Sequence, residues 1–298
     1  MKIVSGSSNF LLAQSIAKQL NLPIIDMEIT KFKNGEKRVW IKEEIQGENI
    51  SLVQSFSNPV DEYIIEFLLI ADALQRAGAR HVSLILPWMG YSLQDKVFRP
   101  GEAIAAKVIA DLVSNANIKR VNLLDVHNTS IPGFFSIPTR HNSTIELFKN
   151  YIIENFDIQK AIVVSPDFGG LKKARMFANE LNLDLANVDK KRDLQTGKVT
   201  PMGLSGDVNG KICLIYDDVI NTGNTVVEVA KFLKNKGALS VHFFVTHGIF
   251  ANNGLEKMMD ESIDSIIITN SINHKDLPDK IKVLDVAGIF ANTLRPWL

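Results

Sequence analysis

Residues 212–220 read Ile-Cys-Leu-Ile-Tyr-Asp-Asp-Val-Ile, residues 221–225 read Asn-Thr-Gly-Asn-Thr, and apolar residues then recur at helical spacing from Val226 to Leu233. A run of this kind is a buried parallel strand, and the carboxyl end of such a strand is where an open α/β sheet collects its ligands. Asp217 and Asp218 fall at that end and can accept hydrogen bonds from sugar hydroxyls. Thr222, Gly223, Asn224 and Thr225 offer backbone N–H groups and hydroxyls to a phosphate at the positive end of the following helix, and Gly223 lets the backbone come close. An ordinary strand-to-helix connection with a surface Asp pair has the same spacing, so the reading as a sugar-phosphate cradle needs support from the rest of the chain.

The chain has 298 residues, 46% of them hydrophobic, which suffices for two domains that each bury a core. Basic and acidic residues balance at 33 each, so a phosphate must be held locally; a general nucleic-acid or membrane-surface partner is not expected. The single cysteine, Cys213, lies inside the apolar run, which argues for a buried structural thiol in a reducing compartment. The first residues lack a signal-peptide core and no run approaches a membrane span, so a cytoplasmic location is expected.

Strand-like runs alternate with amphipathic segments almost throughout, the pattern of an α/β protein with mainly parallel sheets. Strands are expected at residues 2–4, 38–41, 50–54, 82–87, 121–127, 161–165, 184–188, 241–246 and 266–269. Helices are expected at residues 9–20, with Phe10, Leu11, Ala13, Ile16, Ala17 and Leu20 inward, and at 60–76, 102–113, 142–156, 171–181 and 285–294. Asn34-Gly35 marks a turn, and residues 131–135 suit a packed loop. Residues 189–207 are polar and rich in glycine, which reads as a long loop, and long loops inside compact domains are functional or mobile. The two halves share one alternation of strand and helix with acidic residues at strand ends.

Seven segments then stand in one order: Phe32-Lys33-Asn34-Gly35-Glu36, Tyr91-Ser92-Leu93-Gln94-Asp95-Lys96, Asp125-Val126-His127, Gly133-Phe134-Phe135, Ser165-Pro166-Asp167-Phe168-Gly169-Gly170, Lys190-Lys191-Arg192, and Asp217 to Thr225. Over essentially its whole length the chain resembles the ribose-phosphate pyrophosphokinase family. The resemblance implies two phosphoribosyltransferase-like α/β domains, each with a mainly parallel sheet flanked by helices. The first, 1–144, would bind ATP, and the second, 145–284, ribose phosphate, with residues 285–298 packing back on the first. It also implies transfer of the β,γ-diphosphate of ATP to the anomeric hydroxyl of ribose 5-phosphate, with Mg²⁺ required. Family correspondence gives Phe32, Asn34 and Glu36 to adenine, Gln94, Asp95 and Lys96 to the triphosphate, and His127 to the triphosphate and metal. Asp167 goes to metal and ribose, Asp217, Asp218, Asn221, Thr222, Gly223, Asn224 and Thr225 to the ribose phosphate, and Lys190 and Arg192 to catalysis. In-line phosphoryl transfer needs charge neutralisation and alignment, which cations on a closing loop supply.

The chain departs from the family pattern at four places. Leu93 stands where an arginine is usual, Asn34 and Asn221 where aspartates are usual, and Asn224 where a glycine is common. Leu93, Asn221 and Asn224 leave room for an acceptor with a larger 5′ substituent, such as ADP-ribose; Leu93 mildly favours a non-catalytic associated subunit, against which Lys190, Arg192, His127, Asp167, Asp217 and Asp218 speak more strongly. A phosphoribosyltransferase that consumes the diphosphate product would leave Phe32 to Glu36 and Gln94 to Lys96 without a task. Family members are homo-oligomers, and Phe98, Phe134 and Phe135 are candidate interface residues. The chain stops at Leu298 without the longer tail of members regulated by ADP, so weak or absent ADP allostery is expected.

Overall fold

The structure, a computed structural model, describes residues 1–192 and 199–297, and of residues 190–192 and 199–201 the backbone alone. The chain divides into two compact units. One comprises Met1–Ser143, Asn270–Asn273 and Asp285–Leu298, the other Thr144–Thr269 and His274–Leu284.

The first unit contains, in order, β1 (Lys2–Ser5), α1 (Phe10–Leu20), β2 (Met27–Lys31), β3 (Lys37–Ile41), β4 (Asn49–Val53), α2 (Val60–Arg76), β5 (His81–Leu86), α3 (Ala105–Asn115), β6 (Ile118–Leu124) and β7 (Thr139–Asn142). Its main sheet runs β1-β4-β5-β6-β7 with every pairing parallel, and β2 and β3 form a separate antiparallel ribbon. The core packs Phe56, Phe67, Ile70 and Leu74 against Leu52, Leu84, Leu86 and Leu123 of the sheet.

The second unit contains α4 (Ile145–Asn155), β8 (Ala161–Ser165), α5 (Leu171–Leu181), β9 (Leu185–Arg192), β10 (Val199–Ser205), β11 (Ile212–Ile220), α6 (Asn224–Asn235), β12 (Ser240–Gly248), α7 (Gly254–Lys257), β13 (Ser265–Thr269) and β14 (Ile281–Leu284). The strand order is β10-β9-β8-β11-β12-β13-β14, with β10 alone antiparallel. Alternation along β11 sends Cys213 and Ile215 into one core and Leu214 and Tyr216 into another, so helices cover both faces. The last helix, α8 (Ala287–Leu294), returns to the first unit, where Phe290, Ala291 and Leu294 are buried beside α1.

The α/β class with mainly parallel, helix-flanked sheets is as the sequence indicates. Several details differ. Phe10 and Leu11 are exposed, because the buried stripe of α1 is Leu12, Ala13, Ile16 and Ala17. Helix α3 starts at Ala105, later than 102, since the Glu102 carboxylate turns back to accept the Phe98 and Arg99 N–H groups at 3.0 and 2.9 Å. Strand β6 stops at Leu124, because Asp125 adopts a left-handed φ of 33° that breaks the extended backbone. Short strands β2, β7 and β14 escape the sequence reading. Residues 189–207 are in large part paired backbone: β9 and β10 form an antiparallel ribbon, with an irregularity between Pro201 and Gly203 where proline cannot donate to the ladder. Residues 193–198 lie outside the described residues. Phe135 is buried and Phe134 packs on the first core, whereas Phe98 is 60% exposed.

Candidate active site

The residues expected at the ribose phosphate lie in the second unit, from the carboxyl end of β11 onward. Asp217 is partly accessible and Asp218 nearly buried, and the Asp218 N–H donates to Asp217 Oδ1 at 2.9 Å. Two carboxylates on successive residues repel one another. Burial, reinforced by the Asp218 charge, pushes the Asp217 carboxyl well above the ordinary carboxylate range. Lys173, in the first turn of α5, answers part of that charge: its Nζ donates to Asp218 Oδ1 at 2.5 Å. Sequence reasoning does not single out Lys173. Its place in the first turn of a helix starting at the end of β8, the strand next to β11, was the available signal.

The turn behind the carboxylates is fixed from one side. Asn221 O accepts from the Ala251 N–H at 2.9 Å and Thr222 O from Lys257 Nζ at 3.1 Å. Gly223 has φ of 76°, the left-handed region that favours glycine, and a Cβ there would stand 2.3 Å from Met258 Cε, the mobile end of a side chain that would have to shift. On the other side Asn221, Asn224 and Thr225 are exposed and Thr222 is half-buried. Helix α6 starts at Asn224 with no side-chain cap on its first turn, which leaves the positive end of a twelve-residue helix facing outward. An uncapped helix start of this kind can hold a phosphate, and neighbouring carboxylates can accept hydrogen bonds from hydroxyls.

Asp167 follows β8. Its Oδ1 accepts the Gly170 N–H at 2.9 Å and its carbonyl accepts from Ser165 Oγ at 2.7 Å, so the side chain also shapes the turn into α5. Lys190 and Arg192 lie on β9, where their backbones pair with Pro201 and Val199 of β10; their side chains lie outside the described ones.

The residues expected at ATP lie in the first unit. The ribbon β2–β3 turns through 32–36, closed by the Phe32 N–H to Glu36 O bond at 2.8 Å and the Gly35 N–H to Phe32 O bond at 2.9 Å. Asn34 Nδ2 donates to Glu36 Oε2 at 2.8 Å, and Asn34 Oδ1 accepts the Glu36 N–H at 3.2 Å. Phe32 is 53% exposed, so this aromatic face belongs to no core. Gln94, Asp95 and Lys96 follow β5, and His127 follows β6, the neighbouring strand. The two loops are joined where Asn128 Nδ2 donates to Asp95 Oδ2 at 2.5 Å, which brings the Asp95 region beside the His127 region. Lys96 Nζ lies 5.2 Å from the centre of the Phe98 ring, and His127 is exposed. The leading polar motifs of this unit thus converge at the carboxyl ends of two parallel strands, with the aromatic tip carried separately on its ribbon.

Known proteins give this arrangement its context. The family model described as the N-terminal domain of ribose phosphate pyrophosphokinase matches residues 1–116, and that described as the phosphoribosyl synthetase-associated domain matches residues 193–297. The ribose-phosphate pyrophosphokinase of Thermotoga maritima is 37% identical over 296 residues, covering 99% of this chain and 94% of the relative. That of Fusobacterium nucleatum is 38% identical over 297 residues, with the same coverage. The crystal structure of phosphoribosylpyrophosphate synthetase from Mycobacterium smegmatis superposes with a TM-score of 0.92 at 31% identity, covering 99% of this chain and 98% of that one. Identity at this level along the full length of both partners leaves one conclusion: the chain belongs to the ribose-phosphate pyrophosphokinase family.

Proposed function

We propose that this enzyme transfers the β,γ-diphosphate of ATP to the anomeric hydroxyl of ribose 5-phosphate, releasing AMP. The observation that carries the reading is the Asp217–Asp218 pair at the carboxyl end of β11, followed in the chain by the uncapped first turn of α6, in a chain that matches its family from end to end. In this reading the carboxylates accept the ribose 2- and 3-hydroxyls, while Asn221 to Thr225 hold the 5′-phosphate against the helix. Phe32 stacks on adenine, Asn34 and Glu36 read its edge, and Gln94, Asp95, Lys96 and His127 align the triphosphate.

Transfer of a diphosphate between two oxygens is a matter of alignment and charge. The ribose hydroxyl oxygen attacks the β-phosphorus, the bond from that phosphorus to the α,β-bridging oxygen breaks, and the pair of electrons leaves on AMP. Lys190 and Arg192 offset the charge that gathers on the transferred group. The family uses ATP with a divalent metal in general, and Mg²⁺ is the ion this donor set suits. The Asp167 carboxylate is a hard oxygen donor of the kind that ion takes, while no group of three metal-ligating side chains gathers among the described residues. Asp167 and His127 are, each in its own unit, the residues that would ligate such an ion, and when bound it supplies charge neutralisation on the phosphates.

The test is direct. Protein incubated with ATP, Mg²⁺ and either ribose 5-phosphate or ADP-ribose, with products read by mass, gives AMP and the 1-diphosphate of ribose 5-phosphate. Turnover of ADP-ribose in its place would reassign the acceptor, and no AMP with either would mark a non-catalytic subunit. Assembly into a homo-oligomer is part of the same proposal, checked by light scattering.

A further inference from the structure

The turn at 32–36 is flanked by two lysines that oppose one another, since Lys31 of β2 pairs in register with Lys37 of β3. Like charges facing across a ribbon destabilise it, and an isolated two-stranded ribbon is marginal in water. Helix α2 resolves both problems with two glutamates one turn apart. Glu62 Oε2 accepts from Lys31 Nζ at 2.7 Å and lies 3.7 Å from Lys37 Nζ. Glu66 Oε2 accepts from Lys37 Nζ at 2.7 Å.

The two contacts differ in kind. Lys31 and Glu62 are exposed, a pair of small net value. Glu66 is fully buried and the Lys37 side chain is 9% exposed, with its Nζ 5.1 Å from the centre of the Tyr63 ring. Glu66 Oε1 also accepts the Ser7 N–H at 2.7 Å and Gln54 Nε2 at 3.1 Å, and Ser7 Oγ lies 2.7 and 2.8 Å from the two carboxylate oxygens. Ser7 follows β1 and Gln54 follows β4, so the carboxylate is anchored to the carboxyl ends of two adjacent strands of the main sheet. A buried ion pair adds little net stability over well-packed apolar residues, but it fixes geometry, because Ser7 and Gln54 hold the carboxylate on the sheet and Lys37 alone ties the ribbon to it.

We infer that Glu66, acting through Lys37, is a positioning residue that locks the ribbon to the sheet and so sets where Phe32, Asn34 and Glu36 are presented to the nucleotide. The inference rests on the proposed role of that tip in ATP binding, and the test separates the two. Glu66→Gln keeps the size of the side chain and a bond to Ser7 but removes the charge that holds Lys37. Lys37→Gln releases the ribbon while leaving Glu66 bound to Ser7 and Gln54, and serves if Glu66→Gln does not fold. Lys37→Arg restores the charge.

Amide hydrogen exchange on the apo enzyme should accelerate about tenfold or more in residues 27–41 of both Gln variants, with β4 and β5 unchanged. The KM for ATP should rise by about tenfold while kcat and the KM for ribose 5-phosphate stay within about twofold, and Lys37→Arg should recover most of the loss. Unchanged exchange at 27–41 would overturn the positioning role. Accelerated exchange with an unchanged KM for ATP would overturn the link to the nucleotide and, with it, the assignment of the tip. Parallel loss of kcat, both KM values and the melting temperature would overturn positioning in favour of a purely structural network.

Discussion

Asp217 carries the sharpest electrostatic consequence. Its carboxyl sits well above its ordinary 3.8 because burial and Asp218 both disfavour the charge. A carboxyl whose pKa is raised by folding contributes stability below its unfolded pKa and loses it as pH rises through the folded one. Asp217→Asn is therefore expected to melt higher than the parent in the absence of substrates. The gain should grow as pH increases above 3.8, level off once the folded carboxyl ionises, and vanish below 3.8. The same variant should lose roughly 10- to 100-fold in kcat/KM for ribose 5-phosphate, the value of a charged hydrogen bond. Melting curves against pH and steady-state kinetics check the two halves. Cys213 gives a second test: burial pushes its thiol up to about 12 and leaves it fully enclosed. Iodoacetamide at pH 8 should leave it unlabelled in the native enzyme and label it in urea, as mass spectrometry will read; native labelling would contradict the buried assignment.

At the scale of elements, the turn from β11 into α6 is sensitive to a single methyl group. Gly223→Ala meets both a left-handed backbone and Met258 Cε, so about 1–2 kcal/mol of stability should be lost, together with a raised KM for ribose 5-phosphate. Urea denaturation and kinetics measure each, and an unchanged KM would argue against a phosphate at this turn. That turn was legible in the sequence because apolar run, carboxylates, glycine and helix are contiguous and each follows from local chemistry. Lys173 was not, because it reaches Asp218 across 45 residues and a lysine on a helix reads as solvated. The β9–β10 ribbon was hidden for a different reason: antiparallel pairing is satisfied by backbone groups, so polar and glycine-rich residues can form it without an apolar signature. Phe10 and Leu11 stay out of the core because the stripe that meets it is Leu12, Ala13, Ile16 and Ala17, and a helix apolar on more than one side does not announce in its sequence which side is buried.

Across the whole molecule, the two units have separate cores, and all three tryptophans, Trp40, Trp88 and Trp297, belong to the first. Tryptophan fluorescence is thus a reporter of that unit. Phe290→Ala removes a fully buried ring from α8 and should cost about 3–5 kcal/mol, read as an earlier fluorescence transition. An unmoved transition would mean that α8 adds nothing to the first unit. The return of α8 has a consequence for how the protein is made. Residues 144–269 are inserted within the first unit, whose chain is complete only when α8, Asn270 and Ser271 have been synthesised, with Asn270 O receiving Asn9 Nδ2 at 2.7 Å and Ser271 O receiving Ser55 Oγ at 2.6 Å. On the ribosome, then, the half that emerges first must wait, and the half encoded later can settle before it.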